Sequence, residues 1–222
     1  ISGMNTMIRK FPKSPLAIDA NMEIANTYMG NEKFREAIPY LKAVAENTDN
    51  SSLAPQAVLK LGTAYYNIDN NEEALRQYKF IVDRYPSSAE AEDALDNIKT
   101  IYVEDGKPDE YAAYMRQIGK PLSADTEDEL TWAAAVKLYD DQKLNEALNA
   151  YNSYIQRFPS GAHVLEANFN RAEIYNTRKD WNNAVVAFEA VAAQARKSLA
   201  GWAIITAAKL KFLIVFYYSM GA

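Results

Sequence analysis

Tyrosine recurs along this chain at a nearly constant spacing. The recurring residues are Tyr28, Tyr65, Tyr102, Tyr139 and Tyr175, at intervals of 37, 37, 37 and 36 residues. Self-similarity at a period of about 20–50 residues is the signature of one supersecondary unit copied along a chain. The sequence therefore predicts about five copies of one unit, and this restricts the fold before any other motif is considered.

Two further markers follow each tyrosine in phase. About nine residues later comes a small residue, and four residues beyond it comes a large one. The small residues are Ala37, Ala74, Ala147 and Ala184, and the large ones are Leu41, Tyr78, Met115, Tyr151 and Phe188. A separation of four places both on one face of a helix. In the third copy Tyr111 stands where the small residue is expected. Each copy is predicted to be a helical hairpin, which makes the fold all-α.

The spacing resembles the tetratricopeptide repeat, with a small residue, a Tyr three later, an Ala nine after that and a bulky residue four beyond. The second copy meets it with Gly62, Tyr65, Ala74 and Tyr78, and the fifth with Ala172, Tyr175, Ala184 and Phe188. The resemblance implies a right-handed superhelical solenoid of about five hairpins plus a C-terminal helix. The family period is about 34, so each copy here is longer by about three residues.

An aromatic residue followed by proline closes alternate copies. The pairs are Phe11-Pro12, Tyr85-Pro86 and Phe158-Pro159. Proline stops a helix. This ending also resembles a subgroup of tetratricopeptide repeats in Gram-negative envelope proteins, among them the outer-membrane-protein assembly lipoprotein and the Tol-Pal-associated periplasmic protein. The resemblance implies a periplasmic or outer-membrane-associated location, with the cytoplasm as the alternative.

The helix pairs are predicted from the markers and the polar turns between them. They are 16–30 with 33–47, 53–68 with 71–85, 89–104 with 108–118, 126–141 with 144–158, and 162–177 with 180–196. Asn and Asp in the turns are expected to cap the second helices, at Asn31-Glu32, Asp69-Asn70-Asn71, Asp140-Asp141 and Lys179-Asp180. Thr126 with Glu129 fits a capping box.

Five segments are predicted along the chain. Residues 1–14 end a preceding repeat, because Ile8 to Pro15 mirrors Ile81 to Ser88, and the chain is expected to be excised from a longer protein. Residues 15–119 hold repeats 1–3, 120–125 form a linker or bend, 126–198 hold repeats 4–5, and 199–222 form an apolar C-terminal helix. We favour a bend over a hinge at 120–125, because the tyrosine phase continues across it.

The segment 199–222 is almost entirely apolar and carries only two charges, Lys209 and Lys211. These lysines leave apolar runs shorter than the ~20 residues of a spanning helix, so no integral membrane segment is predicted. Three alternatives stay open. The segment is part of a sixth repeat, a homodimer interface, or not native repeat sequence.

Composition disfavours catalysis, metal binding and nucleic-acid binding. The chain has no cysteine and one histidine, His163, which removes most nucleophile-base pairs and zinc sites. No phosphate-binding glycine motif occurs, and a net charge of -5 supplies no basic stripe for phosphates. We predict neither an enzyme nor a cofactor, and we expect His163 to be a surface turn residue.

The resemblance also implies that the first helices of successive hairpins line a groove for a protein or peptide. Counted from the tyrosines, that groove consists of Met22, Asn26, Met29, Leu59, Thr63, Tyr66, Asn67, Lys137, Asp140, Phe169, Glu173 and Asn176. The amides and hydroxyls are expected to hold an extended main chain, and the apolar neighbours to accept side chains. The alternative for the Met and Leu residues is packing against adjacent repeats. Tyr66 and Asn67 are expected to be exposed.

The leading hypothesis is a non-enzymatic scaffold that binds a protein segment in this groove, in bacterial envelope assembly or maintenance. A second hypothesis is a structural module that self-associates through 199–222. A concentration series in light scattering, with and without that segment, distinguishes the two.

Overall fold

The protein is described by a computed structural model, which covers residues 1–12, 14–46 and 53–195. This part of the chain contains eleven α-helices and no strand. Their bounds are α1 Ser2–Lys10, α2 Pro15–Gly30, α3 Phe34–Glu46, α4 Ala54–Tyr66, α5 Asn71–Arg84, α6 Ala89–Glu104, α7 Pro108–Gln117, α8 Ala124–Asp140, α9 Leu144–Arg157, α10 Val164–Thr177 and α11 Trp181–Ala195. The all-α prediction is confirmed, while the handedness of a superhelix stays a prediction. The C-terminal segment 199–222 and a homodimer through it lie outside the described residues.

The chain divides into two compact units, residues 1–101 and the residues from Tyr102 onward. In the first unit α1 packs on α2, α2 on α3, α3 on α4, and α4 on α5. In the second, α7 packs on α8, α8 on α9, α9 on α10, and α10 on α11. Sequential neighbours thus pack as helical hairpins joined by short turns, as predicted. The five predicted segments stay predictions.

The predicted markers form the core of each hairpin. The large residues Leu41, Tyr78, Met115, Tyr151 and Phe188 are all buried, with exposures of 8% or less. Ala37, Ala74, Ala147 and Ala184 are completely buried, and Tyr111 takes that position in the third copy with 5% exposure. Burying a large apolar side chain contributes ~1.5–3 kcal/mol, so these contacts supply much of the stability of each hairpin.

The turn inside each hairpin has one repeated backbone geometry. A residue with positive φ follows the first helix each time, namely Glu32, Asp69, Gly106, Gln142 and Lys179, with φ between 58° and 69°. The next N–H donates to the carbonyl five residues back, as from Lys33 to Tyr28 at 2.9 Å and from Asn70 to Tyr65 at 2.9 Å. This is the Schellman ending of a helix, and it marks the same position in every copy.

The turn geometry corrects the predicted register of the fourth copy. Lys143 N–H donates to Leu138 O at 2.9 Å, so Leu138 and not Tyr139 is equivalent to the recurring tyrosines. The markers therefore lie at Tyr28, Tyr65, Tyr102, Leu138 and Tyr175. Leu138 is 6% exposed, like Tyr65 at 8%. The separation from Met115 in α7 to Leu138 is 23 residues, one fewer than the 24 that separate the same positions in the other copies.

Helix caps agree with the sequence in part. The Asn70 side chain accepts from Glu73 N–H at 3.2 Å and Asp180 from Asn183 N–H at 3.3 Å, as predicted. The capping box at Thr126 is wrong, because α8 begins earlier and Ser123 Oγ accepts from Thr126 N–H at 3.1 Å. The cap by Asp140-Asp141 is also wrong, since Lys143 precedes α9 without a side-chain cap.

Candidate partner-binding faces

The corrected register changes which residues of α8 share the position of the other groove residues. Relative to Leu138, the positions six before, two before and one after are Trp132, Val136 and Tyr139. Lys137 was therefore misassigned, because its equivalent in the second copy is Ala64, which is completely buried. Asp140 moves by one position and becomes the equivalent of Asn67. The sequence did contain the correcting signal, because Ala147 lies nine residues after Leu138, as Ala74 does after Tyr65.

Each unit has its own candidate face, and we define each by its residues. The first-unit face consists of Asn26 and Met29 of α2, Leu59, Thr63 and Tyr66 of α4, and Asn67. The second-unit face consists of Glu129, Trp132, Val136, Tyr139 and Asp140 of α8, and Glu166, Phe169, Glu173 and Asn176 of α10. Within each helix these residues recur at intervals of three or four, which places them on one side of it, except that Asp140 directly follows Tyr139.

Met22 was predicted to line the groove but lies in the core. Its side chain is only 5% exposed, so the packing alternative applies to this methionine. Met29 and Leu59 are half-buried and stay on the first-unit face. A ligand there would contact Met29 and Leu59 rather than Met22.

Polar side chains of the first-unit face are held by α-helical backbone. Thr63 Oγ1 donates to Leu59 O at 3.1 Å, and Asn67 Nδ2 donates to Thr63 O at 2.8 Å. These bonds fix both side chains in a defined orientation before a ligand arrives. Asn67 is exposed as predicted, whereas Tyr66 is half-buried.

Asn26 differs from Thr63 and Asn67 in its hydrogen bonding. Its Oδ1 is buried from solvent and has no hydrogen-bond partner among the described residues. An unsatisfied buried carbonyl oxygen costs about 1–3 kcal/mol. An N–H group from a bound chain would satisfy it, so Asn26 Oδ1 is suited to receive a main-chain amide.

His163 lies in the surface turn directly before α10, as expected, and is partly buried. Its ring stacks on Trp132 of α8 with a centroid separation of 4.7 Å and an interplanar angle of 6°. Its Nε2 lies 3.2 Å from Glu129 Oε1. The N-terminus of α10 is thereby held against α8.

A hydrogen-bond chain supports that junction. His163 N–H donates to the Tyr154 hydroxyl at 3.1 Å, and that hydroxyl donates to Asp128 at 2.5 Å. Burial, and then the carboxylate of Asp128, raise the pKa of Tyr154. Gly161 lies close by, where a Cβ would come within 2.6 Å of the Tyr154 oxygen and 2.7 Å of Asp128 Oδ2. The glycine is required for this close approach.

The remaining predicted site residues have the following places. Lys137 pairs with Asp141 at 2.5 Å, and the hydrogen bond from Lys137 lowers the pKa of Asp141. Asp140 is exposed, and Phe169, Glu173 and Asn176 are half-buried. Phe169 contacts Phe188 of α11 edge-on, with centroids 6.2 Å apart.

Among the described residues no group of three or more His, Cys, Asp and Glu side chains could hold a metal ion.

Comparisons with known proteins agree with the repeat. Residues 22–89 match the family model described as Tetratricopeptide repeat, which supports the resemblance for α2 to α5. MamA from Desulfovibrio magneticus RS-1 is similar in structure at 14% identity and a TM-score of 0.42, over 82% of this chain and 97% of that one. YrrB, described as a TPR protein with an unusual peptide-binding site, is similar at 16% identity and a TM-score of 0.41, over 88% and 98%. No curated protein matches the sequence.

Within the described residues no helix is both long and apolar enough to cross a bilayer.

Proposed function

We propose that this protein is a non-enzymatic scaffold that binds an extended segment of a partner protein on the first-unit face. The proposal depends chiefly on Asn26, whose Oδ1 is buried and has no partner in the described part of the chain. Thr63 occupies the same repeat position in the next hairpin and is oriented by its bond to Leu59 O. Two polar side chains at equivalent positions suit a main chain, which repeats its N–H and C=O groups.

Apolar residues beside these polar groups would supply affinity. Met29, Leu59 and Tyr66 are half-buried, so each keeps some surface for a ligand side chain. Burial of apolar surface contributes about 25 cal/mol per Å² before the costs of association are subtracted. Recognition would then divide into main-chain hydrogen bonds, which position the segment, and side-chain contacts, which select it.

The test uses a bead library of random dodecapeptides, retained on the immobilised protein and counted by sequencing. The best-retained peptides are synthesised with fluorescein and titrated by anisotropy. Replacing Asn26 and Asn67 together by Ala should weaken binding about tenfold, because each ligand hydrogen bond contributes roughly 1 kcal/mol. Thermal unfolding should not shift to a lower temperature, since Asn67 is exposed and the loss of Asn26 removes an unsatisfied buried oxygen.

The matched control replaces Asn145 and Asn149, two exposed asparagines of α9, by Ala. It has the same chemistry on a helix that contributes no residue to the face and should bind like the parent. Equal affinity of the Asn26 and Asn67 variant and the parent would refute the proposed face.

We further propose that the protein acts in the envelope of a Gram-negative bacterium, in the periplasm or at the outer membrane, which the resemblance of the aromatic-proline endings supports. Fractionation of cells that express the full-length gene with a C-terminal tag tests this location. Recovery of the tagged protein only in the cytoplasmic fraction would refute it.

A further inference from the structure

The two candidate faces differ in charge. The first-unit face has no carboxylate, whereas the second-unit face has four, from Glu129, Asp140, Glu166 and Glu173. At the positions that both faces share, Asp140 and Glu173 stand where the first unit has Asn67 and Thr63. Glu129 and Glu166 lie nine residues before the repeat marker, a position outside the first-unit face, where α2 carries Asp19. A ligand that suits one face does not suit the other.

Three residues of α10 form a continuous strip on the second-unit face. Glu166, Phe169 and Glu173 are separated by three and four residues, which places them one above the other on the helix. All three are half-buried. An aromatic ring between two carboxylates can contact the aliphatic stem of a long basic side chain while an acid meets its charged end.

The Glu166 carboxylate lacks one hydrogen-bond partner among the described residues. Its Oε2 is buried from solvent and accepts no hydrogen bond from any residue within the described ranges. A buried carboxylate oxygen without a donor is unfavourable. A guanidinium or ammonium group would supply the missing donor and a compensating charge.

Three positive side chains of this unit bond to residues other than Glu166, although Arg171 keeps one buried nitrogen, Nε, without a partner among the described residues. Arg171, on the same helix, donates to Asn152 Oδ1 and to Asn168 Oδ1, both at 2.9 Å. Lys137 pairs with Asp141. Arg157 pairs with Asp109 and Glu127, which lie outside the face. His163 faces Glu129 and lies flat on Trp132.

We propose that the second-unit face binds a basic segment of a partner protein, with an Arg or Lys side chain against Glu166 and Phe169. Charge complementarity selects this occupant, because carboxylates attract cationic segments and repel acidic ones. The inference rests on the proposed function, since it specifies the chemistry of a segment that the scaffold would bind. It adds a second position on the protein, with its own selectivity.

The experiment compares three pools of dodecapeptide beads in which one central position is fixed as Arg, Gln or Glu and the others are random. Retention on the immobilised protein is measured at low and at physiological salt. We expect the Arg pool to be retained about tenfold better than the Gln pool, and the Glu pool worst. The preference should decrease with salt, as for any partly exposed charge pair.

The test variant replaces Glu166 and Glu173 by Gln, which keeps their shape and removes two charges. It should lose the preference for Arg while its melting temperature and its retention of the Gln pool stay unchanged. The matched control replaces Glu146 and Glu189, two exposed acids on the second helices α9 and α11, by Gln. It should keep the preference.

Three results contradict the inference in different ways. Equal retention of the Arg and Gln pools by the parent overturns the basic-segment proposal and leaves the scaffold function intact. An Arg preference that the control loses as much as the test variant shows a general charge effect and also overturns it. If no pool is retained by the parent protein, the scaffold function itself is wrong, and the inference falls with it.

Discussion

Tyr78 and Tyr151 occupy the same position in two hairpins, one in each unit, and their hydroxyls find different partners. The Tyr78 hydroxyl lies 3.4 Å from Thr63 Oγ1, on the other helix of its own hairpin. The Tyr151 hydroxyl accepts from Asn170 Nδ2 at 3.0 Å, on the first helix of the next hairpin. The Tyr78 hydroxyl therefore links the two helices of one repeat, and the Tyr151 hydroxyl links two neighbouring repeats.

The residue opposite the ring accounts for part of this difference. In the first unit it is Gly62, where a Cβ would come within 2.4 Å of the Tyr78 ring. In the second unit the equivalent residue is Ala135, which is completely buried. Further bonds join the fourth and fifth hairpins, including Arg171 to Asn152 at 2.9 Å. Side-chain polarity thus sets how strongly neighbouring repeats depend on each other, although the backbone is repeated.

The largest effect is expected for Gly62→Ala. The new Cβ would overlap the ring of Tyr78, a residue that is only 1% exposed. We expect unfolding to become easier by about 1–3 kcal/mol, despite the better helix propensity of Ala. Urea denaturation followed by circular dichroism measures it. The double variant with Tyr78→Leu should recover much of the loss, and a stable single variant would show that the tight contact does not exist.

A smaller loss is expected for the reverse change, Ala135→Gly. No ring clash is relieved here, so the cost is the lower helix propensity of Gly, about 1 kcal/mol, and some lost packing. The same denaturation experiment applies. A stabilised variant would mean that Tyr151 is as crowded as Tyr78, and the comparison between the two hairpins would fail.

The tyrosine hydroxyls provide a third test. Tyr151→Phe should lose roughly 0.5–1.5 kcal/mol, because its hydrogen bond joins two hairpins. Tyr78→Phe should lose less, since its bond is long. A double-mutant cycle of Tyr151→Phe with Asn170→Ala isolates the pair. Zero coupling energy would show that the two hairpins are not connected through this bond.

Alkali should lower the free energy of unfolding through the Tyr151 hydroxyl, while neutral pH should leave it unchanged. Burial raises the pKa of Tyr151 to about 12, whereas an unfolded tyrosine titrates near 10. Tyr151 keeps its proton to a higher pH in the folded state than in the unfolded state. Its contribution to stability is therefore complete below about pH 10 and decreases as the pH rises toward 12. Unfolding free energies at pH 8 to 11 should fall less steeply in Tyr151→Phe than in the parent. Parallel curves would contradict the burial of this hydroxyl.

Much of the fold followed from the sequence, because burial and helix stops are local in the chain. Helix α6 was predicted at 89–104 and runs from Ala89 to Glu104, and Phe158 ends α9 as its proline suggested. The start of α8 was misplaced because Ser123 and Thr126 are both good caps. Which of the two residues caps α8 depends on whose hydroxyl reaches a free N–H, and this is set only by the folded backbone.

The candidate site was predicted less well. Tyr139 and Leu138 are adjacent apolar residues, and spacing alone preferred the tyrosine. The backbone turn at Gln142 selects Leu138 and moves Trp132 onto the face. The orphaned oxygens of Asn26 and Glu166 could not be predicted, since they depend on what every neighbouring side chain does.

Four of the five hairpin turns place a side chain other than glycine in the left-handed region, at Glu32, Asp69, Gln142 and Lys179. An L-residue pays about 1 kcal/mol there that glycine does not, and all four are exposed. Replacement by Gly would therefore offer a way to strengthen the hairpins one at a time without altering either face. An engineer could use these turns to choose which repeat melts last, independently of what the protein binds.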